Sequence, residues 1–314
     1  MFKIKKEKFG SFQKYKLINQ NTGESASIIP DFGANVNELV LKKKDKLIQV
    51  IEGDKNTKEL KKNAWFKGAK LNPFPNRTKD GKYKFENKTY QLPINFKVQD
   101  HAIHGLLYNK KFKVKKKISS KTKASLILSY NYNKESKGFP FKFKTEIEYT
   151  LSDRGLEVKT KVTNKGNTKM PFADGWHPYF KLDDKINNLY LKIPSAKQIL
   201  VDKRMIPTGK TKKLSKFRKL EKINKTNFDT GFACNKSKII ETSIYSKKSN
   251  TKLILWQEGG KNRYNFLQVF IPPKRDSIAI EPMTSNTNAL NNKEGLIILK
   301  PNQKFNSKYG VTLK

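Results

Sequence analysis

Residues 143–162 read FKTEIEYTLSDRGLEVKTKV, and this stretch decides the fold class. Apolar or β-branched residues occupy every second position from Phe143 to Leu151 and again from Leu156 to Val162, with charged or polar residues between them. A period of two is typical of strands with one buried face. The residues between the two runs, SDRG at 152–155, have the chemistry of a tight turn. The stretch therefore predicts an antiparallel β-hairpin.

Similar short runs recur along the rest of the chain. Helical signals are few: residues 58–62 predict a short turn, and no segment has the period of a long amphipathic helix. Many short strands separated by turns favour an all-β sandwich or barrel. No linker or internal repeat divides the sequence, so we expect one large β domain over residues 1–314. The other predicted strands are 25–30, 36–41, 47–52, 112–118, 125–132, 189–193, 239–244, 252–256, 266–271, 277–280, 296–299 and 306–313.

The charge of the chain is unusual. Its 314 residues include 67 Lys and Arg against 27 Asp and Glu, a formal net charge of +40. Nearly all of the positive charge is lysine, whereas nucleic-acid binders usually rely on arginine for bidentate contacts. A Lys- and Asn-rich, Arg-poor composition is typical of AT-rich codon usage, and we favour this interpretation over attraction to a polyanion. We therefore expect no nucleic-acid partner.

The composition excludes several classes of protein. With 20 Phe, 12 Tyr and 3 Trp, the chain has the aromatic content of a folded core rather than of a disordered protein. No apolar run approaches about 18 residues, so no membrane span or membrane partner is expected. No apolar segment follows the basic first residues as in a signal peptide, so we expect a cytoplasmic location. The one cysteine, Cys234, allows no intrachain disulfide and is interpreted as a small buried hydrophobe.

Two segments with unusual residues break the strand pattern. In residues 72–77, NPFPNR, two prolines make a rigid loop that presents Arg77 as a fork-shaped donor; the alternative is a structural turn whose arginine pairs with a carboxylate. Residues 101–105, HAIHG, contain a His-x-x-His pair, but the chain has 3 histidines and no nearby pattern of metal ligands. We therefore expect a neutral, hydrogen-bonding histidine there and no metal site.

Two further segments place ionisable residues among apolar ones. Residues 174–180, DGWHPYF, surround His177 with aromatic residues. Such a histidine suits a general acid or a sugar-binding platform, and the alternative is a core histidine with one satisfied nitrogen. In residues 278–284, IAIEPMT, Glu281 ends an apolar strand, where burial would raise the pKa of its carboxyl group. This is the usual setting of a carboxylate base, and the alternative is a strand-end glutamate that faces solvent.

Taken in order, these segments resemble the aldose 1-epimerase (mutarotase) family. The resemblance covers residues 25–310. Its main motifs are Asn76-Arg77, His104-Gly105, His177-Pro178-Tyr179-Phe180 and Glu281-Pro282. Supporting matches are PDFGA at 30–34, GKY at 81–83, the hairpin region 139–166, Phe228-Asp229 and NALN at 288–291.

The resemblance implies a large antiparallel β-sandwich, or supersandwich, in agreement with the strand pattern. It also implies an enzyme that interconverts the α and β anomers of a hexose by opening the sugar ring, without a metal or an organic cofactor. Glu281 would be the general base and His177 the general acid. The residues that would hold or enclose the sugar are Asn76, Arg77, His104, Asp229, Tyr179, Trp176 and Gln268.

Three alternative functions stay open. The positive charge would favour a sugar phosphate or another acidic sugar, with Lys79 as a second cation near Arg77. A carbohydrate-binding β-sandwich without turnover would leave Glu281 and His177 idle. A polyanion-binding protein would bind with strong salt dependence. Because Leu106 stands where the better-known galactose mutarotases carry a second glycine, the preferred sugar is left open, as is the choice between monomer and homodimer.

Overall fold

Residues 1–194, 196–235 and 237–314 are described by a computed structural model. Strands make up 53% of the chain and helices 4%, so the predicted all-β fold class is confirmed. The two α-helices in these ranges, α1 (Thr57–Lys62) and α2 (Ala289–Asn292), are short, and a 3₁₀ turn covers Ile186–Asn188. No helix within the described ranges has the length and apolar character needed to cross a membrane.

The strands of the first half of the chain are β1 (Phe2–Phe9), β2 (Phe12–Asn19), β3 (Ser25–Ile29), β4 (Asn35–Lys43), β5 (Lys46–Gln49), β6 (Ala69–Leu71), β7 (Arg77–Lys79), β8 (Lys82–Phe85), β9 (Lys88–Gln91), β10 (His101–Ile103), β11 (Lys113–Ser119), β12 (Lys123–Asn133), β13 (Lys142–Ser152) and β14 (Gly155–Asn164). Those of the second half are β15 (Met170–Phe172), β16 (Gly175–His177), β17 (Tyr179–Phe180), β18 (Tyr190–Lys192), β19 (Ala196–Val201), β20 (Pro207–Lys213), β21 (Glu221–Lys222), β22 (Asp229–Cys234), β23 (Ile239–Ser246), β24 (Thr251–Glu258), β25 (Phe266–Phe270), β26 (Ile278–Met283), β27 (Ile297–Leu299) and β28 (Lys304–Leu313).

Two large antiparallel sheets form the body of the sandwich. One has nine strands in the order β11-β12-β13-β14-β28-β24-β23-β18-β21. The other has eight strands: seven lie in the order β20-β19-β22-β25-β26-β16-β6, and the eighth, β17, pairs with β26. The sheets pack face to face: Trp176 on β16 stacks on Tyr309 of β28, with ring centroids 5.3 Å apart. A five-stranded sheet, β1 to β5, and three two-stranded ribbons complete the structure. The predicted antiparallel sandwich is confirmed.

The hairpin predicted from residues 143–162 lies in the nine-stranded sheet. β13 and β14 pair in continuous register from Ser152↔Gly155 at the turn to Phe143↔Asn164 at the open end. Side chains at alternate positions are buried, as the pattern predicts, and Ile147, Tyr149 and Leu151 are fully buried. These residues bury one face of the hairpin in the main hydrophobic core.

Some elements differ from the sequence prediction. β1 and β2 were not predicted, because lysines dominate the sequence of β1, FKIKKEKF; the two strands nevertheless pair along their full length. The strand predicted at 47–52 ends at Gln49, and Ile51 instead forms an isolated bridge with Phe180. The short turn predicted at 58–62 is helix α1.

Helix α1 positions the segment that follows it. The Asn56 side chain accepts a hydrogen bond from the Glu59 N–H and so caps the first turn. The helix ends at Asn63, which adopts the left-handed conformation that asparagine tolerates well. The chain then turns, and residues 64–66 line a cleft on the eight-stranded sheet.

Candidate active site

Four adjacent strands of the eight-stranded sheet each contribute one predicted site residue to the same cleft. Along the order β22-β25-β26-β16 these residues are Asp229, Gln268, Glu281 and His177. Gln268 lies directly opposite Glu281 in the strand register. Because side chains alternate between the two faces of a strand, the neighbours Ile280 and Trp176 point into the core instead. The sheet thus brings distant parts of the chain to one surface.

Glu281 and His177 form a close pair at the bottom of the cleft. Glu281 Oε1 lies 3.4 Å from His177 Nε2, and the two residues are 1% and 5% exposed. Burial raises the pKa of Glu281 well above its usual value; nearby Asp229 adds to this shift and Arg77 opposes it. Burial lowers the pKa of His177 from 6.5 to about 3. Each shift disfavours the charged form of its own group, so a neutral Glu281 carboxyl group beside a neutral His177 imidazole is the favoured state.

The Asn76-Arg77 pair also lines the cleft. Asn76 adopts a positive φ of 56°, and its Oδ1 accepts hydrogen bonds from the Arg77 backbone N–H and from Arg77 Nη1. Arg77 Nε donates to Gln99 Oε1 at 2.7 Å, and Nη2 lies 3.5 Å from Asp229 Oδ2. Gln268 in turn donates to Asp229 Oδ1 at 2.6 Å. The guanidinium is thus oriented from several sides before any ligand binds.

His104 enters the cleft from a tight loop. Its ring lies edge-on to that of His177, with centroids 5.1 Å apart, and 4.6 Å from Phe66. Burial, together with the nearby His177 and Arg77, lowers the pKa of His104 well below its usual value. Gly105 has a φ of +79°, and a Cβ there would lie 2.4 Å from the Asn72 carbonyl oxygen, so this position requires glycine. The lowered pKa favours the neutral imidazole expected in this segment, but Nδ1 has no hydrogen-bond partner among the described residues.

Aromatic rings also line the cleft. Tyr179 stacks on His177, with centroids 4.9 Å apart and planes at 14°. Trp65, which is 44% exposed, stacks on Phe270 at the mouth. The cleft has a volume of about 170 Å³, below the roughly 300–1,000 Å³ typical of drug-sized ligands, which suits a small ligand. The lining aromatics that sequence reasoning missed are Trp65, Phe66, Phe96 and Phe270.

Trp176, which was expected to enclose a sugar, does not line the cleft. Trp176 is fully buried, and its indole N–H donates to the Gly68 carbonyl oxygen at 3.2 Å. It precedes His177 on strand β16, so the alternation of the strand directs it to the sheet interface and His177 to the cleft. The tryptophan that does line the cleft is Trp65, more than a hundred residues earlier in the sequence.

Two other candidates also lie elsewhere. The Nδ1 atom of His101 accepts a hydrogen bond from the Asp80 N–H, and its Nε2 atom donates one to the Arg204 carbonyl oxygen. The His101 ring therefore links the segments that carry Asp80 and Arg204. Lys79 is exposed and is not among the residues that line the cleft. Within the described ranges, no three His, Cys, Asp or Glu side chains are grouped as metal ligands would be.

The sequence and the fold match known proteins. A model of the aldose 1-epimerase family matches residues 13–312. The Escherichia coli K12 protein YihR, itself uncharacterized, is 28% identical over 253 residues, which cover 77% of this chain and 79% of that protein.

Solved structures of known proteins share this fold. A galactose mutarotase-like protein from Clostridium acetobutylicum is 25% identical and superposes with a TM-score of 0.89, covering 100% of this chain and 98% of that one. A galactose 1-epimerase from Lactobacillus acidophilus shares the fold at 17% identity, with a TM-score of 0.83 and coverage of 100% and 98%. From the extent of the family match, this chain belongs to the aldose 1-epimerase family.

Proposed function

We propose that the protein is an aldose 1-epimerase that interconverts the α and β anomers of a free hexose. One observation carries the proposal: Glu281 Oε1 and His177 Nε2 lie 3.4 Å apart at the bottom of a small cleft. The remaining polar atoms of the pair, Glu281 Oε2 and His177 Nδ1, are buried and have no hydrogen-bond partner in the described parts of the chain. Buried polar groups normally have partners, so the hydroxyl groups of a sugar would complete this arrangement.

Mutarotation needs an acid and a base that act together on one hemiacetal. In the proposed reaction, the Glu281 carboxylate takes the proton of the C1 hydroxyl, and the C1–O1 bond becomes a carbonyl as the C1–O5 bond breaks. The His177 imidazolium gives its proton to O5. The open aldehyde rotates about C1–C2, and the ring closes again with the two proton transfers reversed. Each partner of such a pair typically contributes ~10²–10⁴-fold.

The shifted pKa values suit a pair that shares one proton. Burial raises the pKa of Glu281 and lowers that of His177, so one proton stays on the pair over a wide range of pH. Moving that proton from Glu281 to His177 produces the carboxylate base and the imidazolium acid that ring opening requires. Arg77 favours this transfer, because its positive charge stabilises the Glu281 carboxylate.

We therefore expect a broad pH profile. Activity requires one proton on the pair, so kcat/KM should fall on the alkaline side, where Glu281 loses that proton. On the acid side it should fall only as pH approaches about 3, where His177 takes up a second proton. Polarimetry from about pH 2.5 to 10, corrected for spontaneous mutarotation and with folding checked by circular dichroism, measures this profile. An acid limb near 6.5 would show that His177 titrates as an exposed imidazole.

Arg77 is expected to act mainly in sugar binding. Its guanidinium lies beside Asp229 in the cleft, where it can donate to sugar hydroxyls. Hydrogen bonds to charged groups contribute ~1.5–3 kcal/mol, so Arg77→Ala should raise KM about 10- to 100-fold. Initial rates over a range of hexose concentrations measure this effect. Arg275→Ala is the matched control, because Arg275 donates to Asn187, Asn224, Thr226 and Asn227 instead; an equal rise in KM would contradict the assignment.

The charge of the cleft favours a neutral sugar over an acidic one. Arg77 already faces the carboxylate of Asp229, with Nη2 3.5 Å from Oδ2, and Lys79 does not line the cleft. The high net charge of the chain is therefore not concentrated where an anionic substrate group would bind. A second function for the cleft has no specific support.

Optical rotation tests the proposal directly. Freshly dissolved α-glucose and α-galactose are followed over time with and without the protein, at two salt concentrations. The expected result is faster relaxation to the same final rotation, little affected by salt. Unchanged rates with both sugars would contradict the proposal. Equilibrium binding of the same sugars, measured by calorimetry, then identifies a carbohydrate-binding protein without turnover.

A further inference from the structure

A buried ion pair lies directly behind the cleft. Lys70 on β6 and Asp174, which precedes β16, are both 0% exposed, and Lys70 Nζ lies 2.6 Å from Asp174 Oδ2. The ammonium group also donates to Thr160 Oγ1 at 3.0 Å and to the Tyr309 hydroxyl at 3.3 Å. All three of its protons therefore have acceptors, which fixes the direction of the lysine side chain.

Hydrogen bonds from other side chains also fix the position of the Asp174 carboxylate. Tyr264 OH donates to Oδ2 at 2.7 Å, and Asn72 Nδ2 donates to Oδ1 at 3.2 Å. The Asp174 backbone N–H donates to Thr284 Oγ1, and the Asp174 carbonyl accepts from the Thr284 N–H, both at 2.9 Å. The Asp174 side chain thus joins strand β6 and the loop after it. The Asp174 backbone joins the start of β16 to the end of β26, and these bonds do not depend on the carboxylate.

Each of these contacts lies close in sequence to a residue of the cleft. Asp174 is three residues before His177, Thr284 is three after Glu281, and Asn72 is four before Asn76. The Asn72 carbonyl also accepts hydrogen bonds from the N–H groups of residues 106 and 107, directly after the His104-Gly105 loop. The buried cluster therefore contacts every chain segment that carries Asn76, His104, His177 or Glu281.

We infer that Lys70 and Asp174 are positioning residues that hold Glu281 and His177 at their working separation. The inference rests on the proposed mutarotase function. Stability alone does not account for the pair, since apolar residues of similar volume often replace a buried ion pair without loss of stability. What apolar residues cannot supply is a set of directed hydrogen bonds to several strands at once. A displacement of about 1 Å between reacting groups can lower a rate ~10²-fold.

The decisive comparison is between single and double variants. Lys70→Met and Asp174→Asn each leave one buried charge unpaired and should lower the thermal unfolding temperature. The double variant removes both charges and should recover most of that loss. We nevertheless expect its kcat to stay at least about tenfold below the wild-type value, with KM changed by less than about threefold. Recovery of kcat together with stability would show that the pair is merely structural.

A milder variant tests the same inference in case the double variant does not fold. Tyr264→Phe removes one donor to Asp174 and leaves the core volume unchanged. Tyr83→Phe is its control, because the Tyr83 hydroxyl is also buried but donates to the Gly138 carbonyl. We expect a lower kcat for Tyr264→Phe alone. Equal kcat values for the two variants and the wild type would overturn the inference.

A second readout does not depend on turnover. The chain has 3 histidines, so ¹⁵N-histidine labelling gives a simple imidazole spectrum. The double variant and Tyr264→Phe should shift the resonances of His177 and leave those of His101 unchanged. Unchanged His177 resonances would contradict the inference. If the wild-type protein showed no mutarotation, the proposed function would fail, and the spectrum would still decide whether the cluster positions His177.

Discussion

Glu281→Gln is expected to lower the rate of mutarotation about 10²–10⁴-fold while making the folded protein more stable. Glutamine has nearly the shape of glutamate but can neither accept nor release the proton shared with His177. The rate of relaxation of α-galactose or α-glucose by polarimetry measures the first effect. Thermal unfolding at neutral pH measures the second.

The gain in stability follows from the direction of the pKa shift. Burial raises the folded-state pKa of Glu281 above its unfolded value. The stabilising contribution of such a group is complete below the unfolded pKa and is lost as pH rises through the folded pKa. At neutral pH, therefore, the buried carboxyl group destabilises the fold relative to a neutral amide. The difference in stability between wild type and Glu281→Gln should shrink toward pH 4.

Glu52→Gln is the matched control with the opposite sign. Glu52 pairs with Lys67 at 2.6 Å and does not line the cleft. Burial raises the pKa of its carboxyl group, but the hydrogen bond and the positive charge of Lys67 outweigh burial, so the pKa is lowered. Its substitution should lower stability at neutral pH and leave mutarotation unchanged. Full activity of Glu281→Gln, or equal losses in both variants, would show that Glu281 is not the base.

The strand pattern predicts much of the fold because it depends on local alternation. The hairpin of β13 and β14 was predicted at its turn and along both strands, since one face of each strand is consistently apolar. β1 was missed because its exposed face carries lysines and its apolar face is interrupted. Formation of β1 depends on its pairing with β2, which the local sequence pattern does not show.

From the residues alone, the site could be predicted only where a residue type is unusual in its local sequence; Asp229 and Gln268 came from the family resemblance. Glu281 and His177 stand among apolar residues, and the structure places both in one cleft. Trp65 gave no such signal, because its place at the cleft depends on where helix α1 ends. Lys70 is one of 67 Lys and Arg residues; only its tertiary position distinguishes it from the others.

The largest remaining prediction concerns His177. His177→Asn should lower kcat about 10²–10⁴-fold, because no other group would protonate O5. The fold should survive: within the described residues His177 Nδ1 has no hydrogen-bond partner, so the substitution breaks no internal hydrogen bond at that nitrogen. Initial rates at several sugar concentrations separate kcat from KM. A change confined to KM would show that His177 binds the sugar without giving up a proton.

The other two histidines make this test specific. His104 lies in the same cleft, but among the described residues only the ring of His177 approaches the Glu281 carboxyl group to 3.4 Å. We therefore expect His104→Asn to raise KM more than it lowers kcat. His101 lies outside the cleft and bonds Asp80 and Arg204, so His101→Asn should affect stability alone. Three substitutions of the same kind thus give three different outcomes, because only one imidazole is within reach of the carboxylate with which it must exchange a proton.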